Sequence, residues 1–196
     1  MFTIKNDLNG ELIVNKSRFI TYVYKVNNVL EVNEKIDALK AKYKDATHYC
    51  YSYIIDNIKR FNDDKEPSHT AGMPILNVLE SKNLNYVLAV VIRYFGGIKL
   101  GAGGLVRAYS NSITEALSKI NYISLKSGYL IELTFDYKDQ KNIDYILRNS
   151  IIKEQVFQEK IYYKALIKKE LLESLSSYNL NIINEQLIEE DDNYFK

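Results

Sequence analysis

The sequence lacks the residues that build disulfide or thiolate frameworks. Cys50 is its one cysteine, so neither an intrachain disulfide nor a thiolate zinc cluster can form. The longest strongly apolar run, residues 87–92, is too short to cross a bilayer. The amino terminus carries Lys5 and Asp7, where a signal peptide needs an apolar core. We therefore expect a cytoplasmic protein without a membrane partner.

Tryptophan is absent, but the overall composition is that of a globular chain, with 46% hydrophobic and 26% charged residues. The formal net charge of +1 argues against a uniformly basic nucleic-acid binder. The charge is uneven, because residues 1–124 hold 16 Lys and Arg against 12 Asp and Glu, while residues 125–196 hold 10 against 13. Residues 81–114 contain four basic residues and no acid, which predicts a local positive field for an anionic partner.

Hydrophobic periodicity predicts an α+β chain with two domains, residues 1–124 and 125–196. In the first it predicts a strand or hairpin at 11–26, a helix at 29–44, strands at 48–55 and 60–62, a helix from Pro74 to about 82, a strand at 86–94 and a helix at 105–120. In the second it predicts strand 128–135, helix 138–148, strands 151–158 and 160–167, helix 169–178 and strand 182–189. This β-α-β-β-α-β order is typical of the ferredoxin-like fold.

Glycine is concentrated in the stretch that follows the predicted strand 86–94, here called the glycine segment (residues 96–104). Five of the chain's eight glycines lie in it: Gly96, Gly97, Gly101, Gly103 and Gly104. Their amides and the start of the next helix can bind phosphate, with added charge from Arg93, Lys99 and Arg107. Neither nucleotide-binding fingerprint is met. The alternative is that these glycines only permit a tight turn and close packing.

A second candidate site is the polar stretch without apolar periodicity, here called the acidic loop (residues 63–72). Asp63, Asp64 and Glu66 offer oxygen ligands for Mg²⁺, or a general acid or base. Ser68 and Thr70 are interpreted as caps of the following helix rather than as nucleophiles. The alternative is that the acids are ordinary turn formers in solvent.

His48 and Cys50 lie two residues apart and therefore on one face of a strand. They allow a cysteine-histidine nucleophile pair, although a buried cysteine beside aromatic residues is usually inert. Another option is base stacking on the aromatic residues of the same strand, which are Tyr49, Tyr51 and Tyr53.

Four segments of the sequence carry longer motifs. They are residues 17–20 (SRFI), 48–51 (HYCY), 63–76 (DDKEPSHTAGMPIL) and 91–109 (VIRYFGGIKLGAGGLVRAY). In residues and order these motifs resemble the signatures of the YigZ/IMPACT family across the first domain. The second domain resembles the bacterial members by arrangement more than by motif. The family usually has glycine where this chain has Lys65 and His69.

The resemblance implies a first domain of the superfold shared by the C-terminal domain of a small-subunit ribosomal protein, domain four of elongation factor G and the galactokinase-type kinases. It implies a left-handed β-α-β crossover, against the usual rule. The second domain would be similar to the ferredoxin-like end of elongation factor G. Eukaryotic relatives act as translational regulators that compete for the activator of an initiation-factor kinase, which implies a translation-factor or regulatory protein as a further partner.

Two hypotheses about function follow. The first is a non-catalytic, translation-associated regulator that binds RNA or the ribosome through the glycine segment and its cations. The second is a small enzyme acting on a phosphorylated or nucleotide ligand, with Mg²⁺ in the acidic loop as its one candidate cofactor. A protein-protein regulator that uses the acidic second domain is a third reading without residue-level predictions. We expect the acidic loop and the glycine segment to converge in one cationic hollow.

Overall fold

The protein is described by a computed structural model that covers residues 1–118 and 120–190. The chain divides into two compact units, residues 1–123 and 124–196. Across the described residues, no helix is long and apolar enough to pass through a membrane.

The first unit is built on a five-stranded antiparallel sheet. Its elements are β1 (Phe2–Ile4), β2 (Leu8–Val14), β3 (Ser17–Lys25), α1 (Val29–Lys42), β4 (His48–Ile55), β5 (Ile58–Asn62), α2 (Gly72–Ser81), β6 (Val87–Tyr94) and α3 (Gly101–Leu117). The strand order is β2-β3-β6-β4-β5. Because β3 and β4 both run antiparallel to β6, they are parallel to each other, and α1 connects them. The hand of this crossover stays a prediction.

The central strand β6 is buried on both faces, which explains its continuous apolar sequence. Val87, Ala89 and Val91 belong to a core with α2 and α3. The alternate residues of β6 belong to a second core beneath α1: Leu88, Val90 and Ile92. One sheet therefore separates two apolar layers.

Helix α1 matches its sequence prediction in start and in buried stripe. Asn28 accepts a hydrogen bond from the amide of Glu31 over 3.0 Å, which caps the first turn. Val32, Ile36 and Leu39, at helical spacing, are buried against the sheet.

Helix α3 begins at Gly101, four residues before the predicted start at Leu105. Glycine has a low helix propensity, so the sequence pattern hid the first turn. Gly101, Gly103 and Gly104 therefore lie in a helix and not in a loop. The predicted helix extended to Ile120, beyond the observed end at Leu117, and residue 119 on that stretch lies outside the described residues.

The second unit has the ferredoxin-like order. Its elements are β7 (Tyr122–Phe135, which begins in the first unit), α4 (Gln140–Ile146), β8 (Ile151–Phe157), β9 (Ile161–Lys168), α5 (Leu172–Leu175) and β10 (Asn179–Glu190). The sheet order β10-β7-β9-β8 is antiparallel throughout, and its core includes Leu133, Ile143 and Tyr163. The α+β prediction is confirmed.

Candidate functional site

Three of the segments singled out in the sequence meet in the first unit: the start of β4, the acidic loop and the end of β6. His48 Nδ1 lies 2.8 Å from the carbonyl oxygen of Asp64, and Glu66 Oε1 lies 2.5 Å from Arg93 Nη1. The acidic loop therefore lies against the start of β4 and the end of β6, the strand that leads into the glycine segment.

Asp63 caps helix α2 from outside the helix. Its Oδ1 accepts hydrogen bonds from the amides of Ala71, over 3.0 Å, and Gly72, over 2.7 Å. Its Oδ2 accepts one from the amide of His69 over 2.8 Å. A carboxylate at the start of a helix satisfies amides that have no partner within the helix. The Asp63 side chain thus folds the acidic loop back onto itself.

The prediction that Ser68 and Thr70 cap α2 is wrong. The Thr70 hydroxyl donates to the carbonyl oxygen of Pro67 over 2.6 Å, and the Ser68 hydroxyl lies 3.3 Å from His69 Nδ1. Both hydroxyls serve turns within the loop, because Asp63 already occupies the amides at the helix start.

Asp64 fastens the acidic loop to β4. Its Oδ2 accepts from the amide of Tyr49 over 2.6 Å, and its carbonyl oxygen faces His48 Nδ1. Since a carbonyl oxygen can only accept, Nδ1 of His48 carries the proton. The other ring nitrogen, Nε2, then points towards Glu66, at 3.7 Å from its Oε1.

Three residues of the acidic loop sit in backbone conformations that favour glycine, and the first is Asp64, with φ of 40°. Lys65 has φ of 68° and His69 has φ of 61°. These are the two positions at which the resemblance to the family implies glycine. The departures therefore carry backbone strain.

Glu66 and Arg93 form a buried ion pair at the centre of the convergence. Their side chains are 3% and 5% exposed. The Tyr109 hydroxyl donates to the same oxygen, Oε1 of Glu66, over 2.8 Å. The expected cationic hollow is thus corrected: the acidic loop meets the end of β6 and helix α3 around an acid and a base that compensate each other, and these buried side chains occupy the space.

Cys50 lies beneath this pair and is fully buried. Its Sγ is 3.1 Å from the carbonyl oxygen of Asp63 and 3.3 Å from the Tyr109 hydroxyl. Burial raises the pKa of the Cys50 thiol and of the Tyr109 phenol far above their ordinary values. A thiol held protonated in this way is a packing group and a weak hydrogen-bond donor, not a ready nucleophile.

Gly96 joins the glycine segment to the turn between β2 and β3. Its amide donates to Ser17 Oγ over 3.2 Å, and Arg93 Nη2 donates to the same oxygen over 3.4 Å. A β-carbon at Gly96 would lie 2.0 Å from the carbonyl carbon of Lys16. Close packing is therefore the reason for glycine at this position.

The next glycines have a different reason. Gly97 has φ of 82° and Gly101 has φ of 69°, and a β-carbon at either would meet nothing within 4 Å. Gly103 has a similarly open position, with Arg107 Nη1 3.7 Å from a β-carbon placed there, and at Gly104 a β-carbon would lie 3.0 Å from the Cβ of Leu100. Most of the segment thus keeps its backbone uncovered.

This uncovered stretch, residues 97–103 together with Arg107, is called the glycine surface. Lys99 and Arg107 are both exposed. The residue before α3, Leu100, offers no side-chain cap to the first turn. Free amides and a positive helix end favour an anion here. Of the predicted phosphate-binding residues, the glycine surface holds Gly97, Lys99, Gly101, Gly103 and Arg107 in the open, whereas Arg93 is inside; their binding of phosphate stays a prediction.

The candidate magnesium ligands are engaged by the protein itself. Asp63 and Asp64 accept backbone amides, and Glu66 accepts from Arg93 and Tyr109. Over residues 1–118 and 120–190, no group of three or more His, Cys, Asp or Glu side chains is placed to hold a metal ion. A cation at the hydrogen-bonded oxygens would have to displace those donors, and Mg²⁺ binding stays a prediction.

The tyrosines of β4 lie on the face of the sheet covered by α1. Tyr53 is buried, and Tyr49 and Tyr51 are partly buried against the same core. The Tyr49 hydroxyl donates to the carbonyl oxygen of Tyr43. Their rings contribute to packing, and base stacking on them stays an untested option.

Reasoning from residue types missed Ser17 and Tyr109 as members of the central network. Both lie inside the family motifs, at residues 17–20 and 91–109. Tyr109 also stands four residues after the buried Leu105 on α3, so helical spacing would have placed it inward.

These features define a class of protein: a five-stranded unit with two apolar layers and a buried acid-arginine pair, followed by a ferredoxin-like unit. Residues 15–117, more than half of the chain, match the model of the Impact N-terminal domain. The chain belongs to the IMPACT family.

Three known proteins illustrate the similarity. The IMPACT family member YvyE of Bacillus subtilis (strain 168) is 43% identical over 158 residues, which cover 78% of this chain and 73% of that protein. A crystal structure described as a hypothetical protein has a TM-score of 0.66 at 26% identity, and the match covers 92% of this chain and 95% of that one. The two-domain translational regulator Yih1 has a TM-score of only 0.35 at 21% identity, over 59% of this chain and 45% of its own.

Proposed function

We propose that this chain is a cytoplasmic, non-catalytic, translation-associated protein that binds RNA or the ribosome through the glycine surface. The observation that supports this most is the exposure of Lys99 and Arg107 beside the uncapped first turn of α3. Both cations lie in residues 81–114, which contain no acid. Phosphate groups are the ligands that free amides and paired cations favour.

The association with translation is supported by membership of the IMPACT family, whose eukaryotic members regulate translation. The ferredoxin-like order of the second unit also agrees with the likeness to elongation factor G that the resemblance implies. A regulatory protein is a further partner in this proposal, but fold-level analogy assigns it no residues.

The non-catalytic part of the proposal is supported by the state of the reactive groups. The Cys50 thiol is buried with a raised pKa, and the carboxylates of the acidic loop accept hydrogen bonds from the chain. Cys50 and Glu66 are buried, and although Asp64 lines a cavity with Asp37 and Lys40, it accepts the amide of Tyr49 there.

The test is the affinity for a labelled poly-uridine RNA as a function of salt. Binding through phosphate should weaken with a slope of about −0.7 in log K against log salt for each contact to a single strand. The double variant K99A/R107A should bind more weakly, and its salt slope should be shallower by the contribution of about two phosphate contacts. Lys82→Ala is the matched control, because Lys82 comes from the same acid-free stretch but follows the C-terminal end of α2.

Two outcomes would reject the proposal. One is an affinity of K99A/R107A equal to that of the Lys82→Ala control at every salt concentration. The other is the absence of both RNA binding by the parent and cosedimentation with ribosomes. Nuclease treatment of the copurified material distinguishes free RNA from the ribosome as the natural partner.

A further inference from the structure

We infer that Glu66 is the positioning residue of the glycine surface, and that Arg93 is an internal cation that does not contact the ligand. This role rests on the function proposed above. It assigns to the acidic loop a task in binding that needs neither a metal nor an exposed carboxylate.

Glu66 holds both flanks of the glycine segment with a single oxygen. Arg93, which donates to Oε1 over 2.5 Å, is next to the last residue of β6, just before the segment. Tyr109, which donates to the same oxygen over 2.8 Å, belongs to α3, just after it. The end of β6 and helix α3 therefore both donate to one carboxylate oxygen.

Arg93 extends this control to the segment itself. Its Nη2 donates to Ser17 Oγ, which also accepts the amide of Gly96. Glu66, Arg93, Ser17 and Gly96 thus form a continuous chain of contacts from the acidic loop to the first residue of the glycine segment.

The surroundings of Arg93 keep it from reaching a phosphate. Its guanidinium carbon lies 5.4 Å from the ring centre of Phe19 and 5.5 Å from that of Phe95. Within the described part of the chain, its Nε has no hydrogen-bond partner. The Arg93 guanidinium is 5% exposed and lies close to two aromatic rings. If it moved out towards a phosphate, the buried Glu66 carboxylate would lose its counter-charge, which is costly in an apolar environment.

The alternative role for Glu66 is a simple tether of Arg93. If Glu66 merely restrained a cation that binds RNA, then removing its charge would free Arg93, and RNA would bind more tightly with a steeper salt slope. If Glu66 positions the segment, the same change weakens binding and leaves the salt slope unaltered, because no phosphate contact is lost. The two roles therefore predict opposite signs.

The test compares E66Q, Y109F and the double variant R93M/E66Q with the parent protein on labelled poly-uridine RNA. Y109F removes one hydroxyl, and R93M/E66Q removes both charges together, so that neither is left buried alone. We expect each to bind several-fold more weakly with the parent's salt slope. Y163F is the matched control, because Tyr163 is a buried tyrosine of the second unit that donates to Asp144 over 2.9 Å.

Tighter binding by E66Q overturns the inference, and so does a slope reduced by about 0.7 in R93M/E66Q, which would place Arg93 on a phosphate. Amide hydrogen exchange supplies a readout that needs no RNA. We expect faster exchange at residues 95–104 in Y109F and R93M/E66Q than in the parent and Y163F. Unchanged exchange at these residues in both variants overturns the inference. This result counts even if the parent binds no RNA, so failure of the inference and failure of the proposed function are distinguishable.

Discussion

The acidic loop and the glycine segment are both polar stretches that look like sites in the sequence, yet the structure uses them in opposite ways. In the acidic loop, Asp63, Asp64 and Glu66 all accept hydrogen bonds from the chain. At the glycine surface, Lys99 and Arg107 are exposed, and the residue before α3 gives its first turn no side-chain cap. The comparison teaches that a polar loop is a binding candidate only where its hydrogen-bonding groups are not already paired within the protein.

The strongest way to break this comparison is to remove the buried acid. Glu66→Ala leaves Arg93 without a counter-charge, and the free energy of unfolding should fall by about 3–5 kcal/mol. The control is Glu80→Ala, which breaks an exposed pair with Lys59 at 2.7 Å and should cost about 1 kcal/mol or less. Denaturant unfolding of the parent and the two variants measures both effects. If the free energy of unfolding fell by the same amount in both variants, the Glu66–Arg93 pair would contribute no more to stability than an exposed ion pair.

The capping role of Asp63 gives the next largest effect. Asp63→Ala leaves the amides of His69, Ala71 and Gly72 without their acceptor, and unfolding should become easier by about 2 kcal/mol. Asp63→Asn, which keeps one acceptor oxygen, should recover part of the loss. A fully stable alanine variant would mean that solvent replaces the carboxylate, and the acidic loop would then resemble the glycine segment more closely.

Alkaline pH sharpens the comparison through the groups buried beneath the acidic loop. The unfolded chain ionises Cys50 and Tyr109 near their ordinary pKa values of about 8.5 and 10, while burial keeps both protonated in the folded protein. The stabilising contribution is fully present below those values and is lost as the pH rises above them. The loss should be about 1.4 kcal/mol per pH unit for each group.

Urea unfolding of the parent and Y109F from about pH 8 to 11 measures this contribution. Above about pH 10 the free energy of unfolding should fall more steeply for the parent than for Y109F, because only the parent has the Tyr109 phenol to ionise on unfolding. Parallel pH profiles would contradict the buried, neutral state of the phenol.

Backbone conformation supplies the smallest effect, with opposite signs in the two stretches. Lys65→Gly relieves a φ of 68° and should stabilise the protein by about 0.5–1 kcal/mol. Gly97→Ala, at a φ of 82° in open space, should destabilise it by about 1 kcal/mol. Thermal unfolding of both variants checks the pair. Equal signs would show that side-chain contacts, and not backbone strain, control these positions.

The fold was predictable where local pattern decides it. The stripe of Val32, Ile36 and Leu39 and the apolar run of β6 were sufficient for α1 and the central strand. Strand β1, with three residues, was too short to give a pattern, and β7 begins six residues before the predicted start at 128. Short or irregular elements depend on pairing partners that a sequence does not reveal.

The site was predictable in its membership but not in its chemistry. Residue types singled out Asp63, Glu66 and Arg93, but the partner of Glu66 lies 27 residues away in sequence. The Asp63 carboxylate reaches amides up to nine residues further along the chain. A pairing at such a separation depends on how the strands and helices pack, so the same residues were open to a metal, a phosphate or a structural interpretation.

The tight approach of Gly96 to Lys16 links two parts of the surface that have different solvent exposure. A β-carbon added at Gly96 would lie 2.0 Å from the Lys16 carbonyl carbon, so the turn between β2 and β3 (the hairpin tip) packs directly against the first residue of the glycine segment. A displacement of the segment must therefore move the tip, where Asn15 and Lys16 are exposed. A fluorophore attached at Asn15 would then act as a remote reporter that registers occupancy without obstructing the ligand.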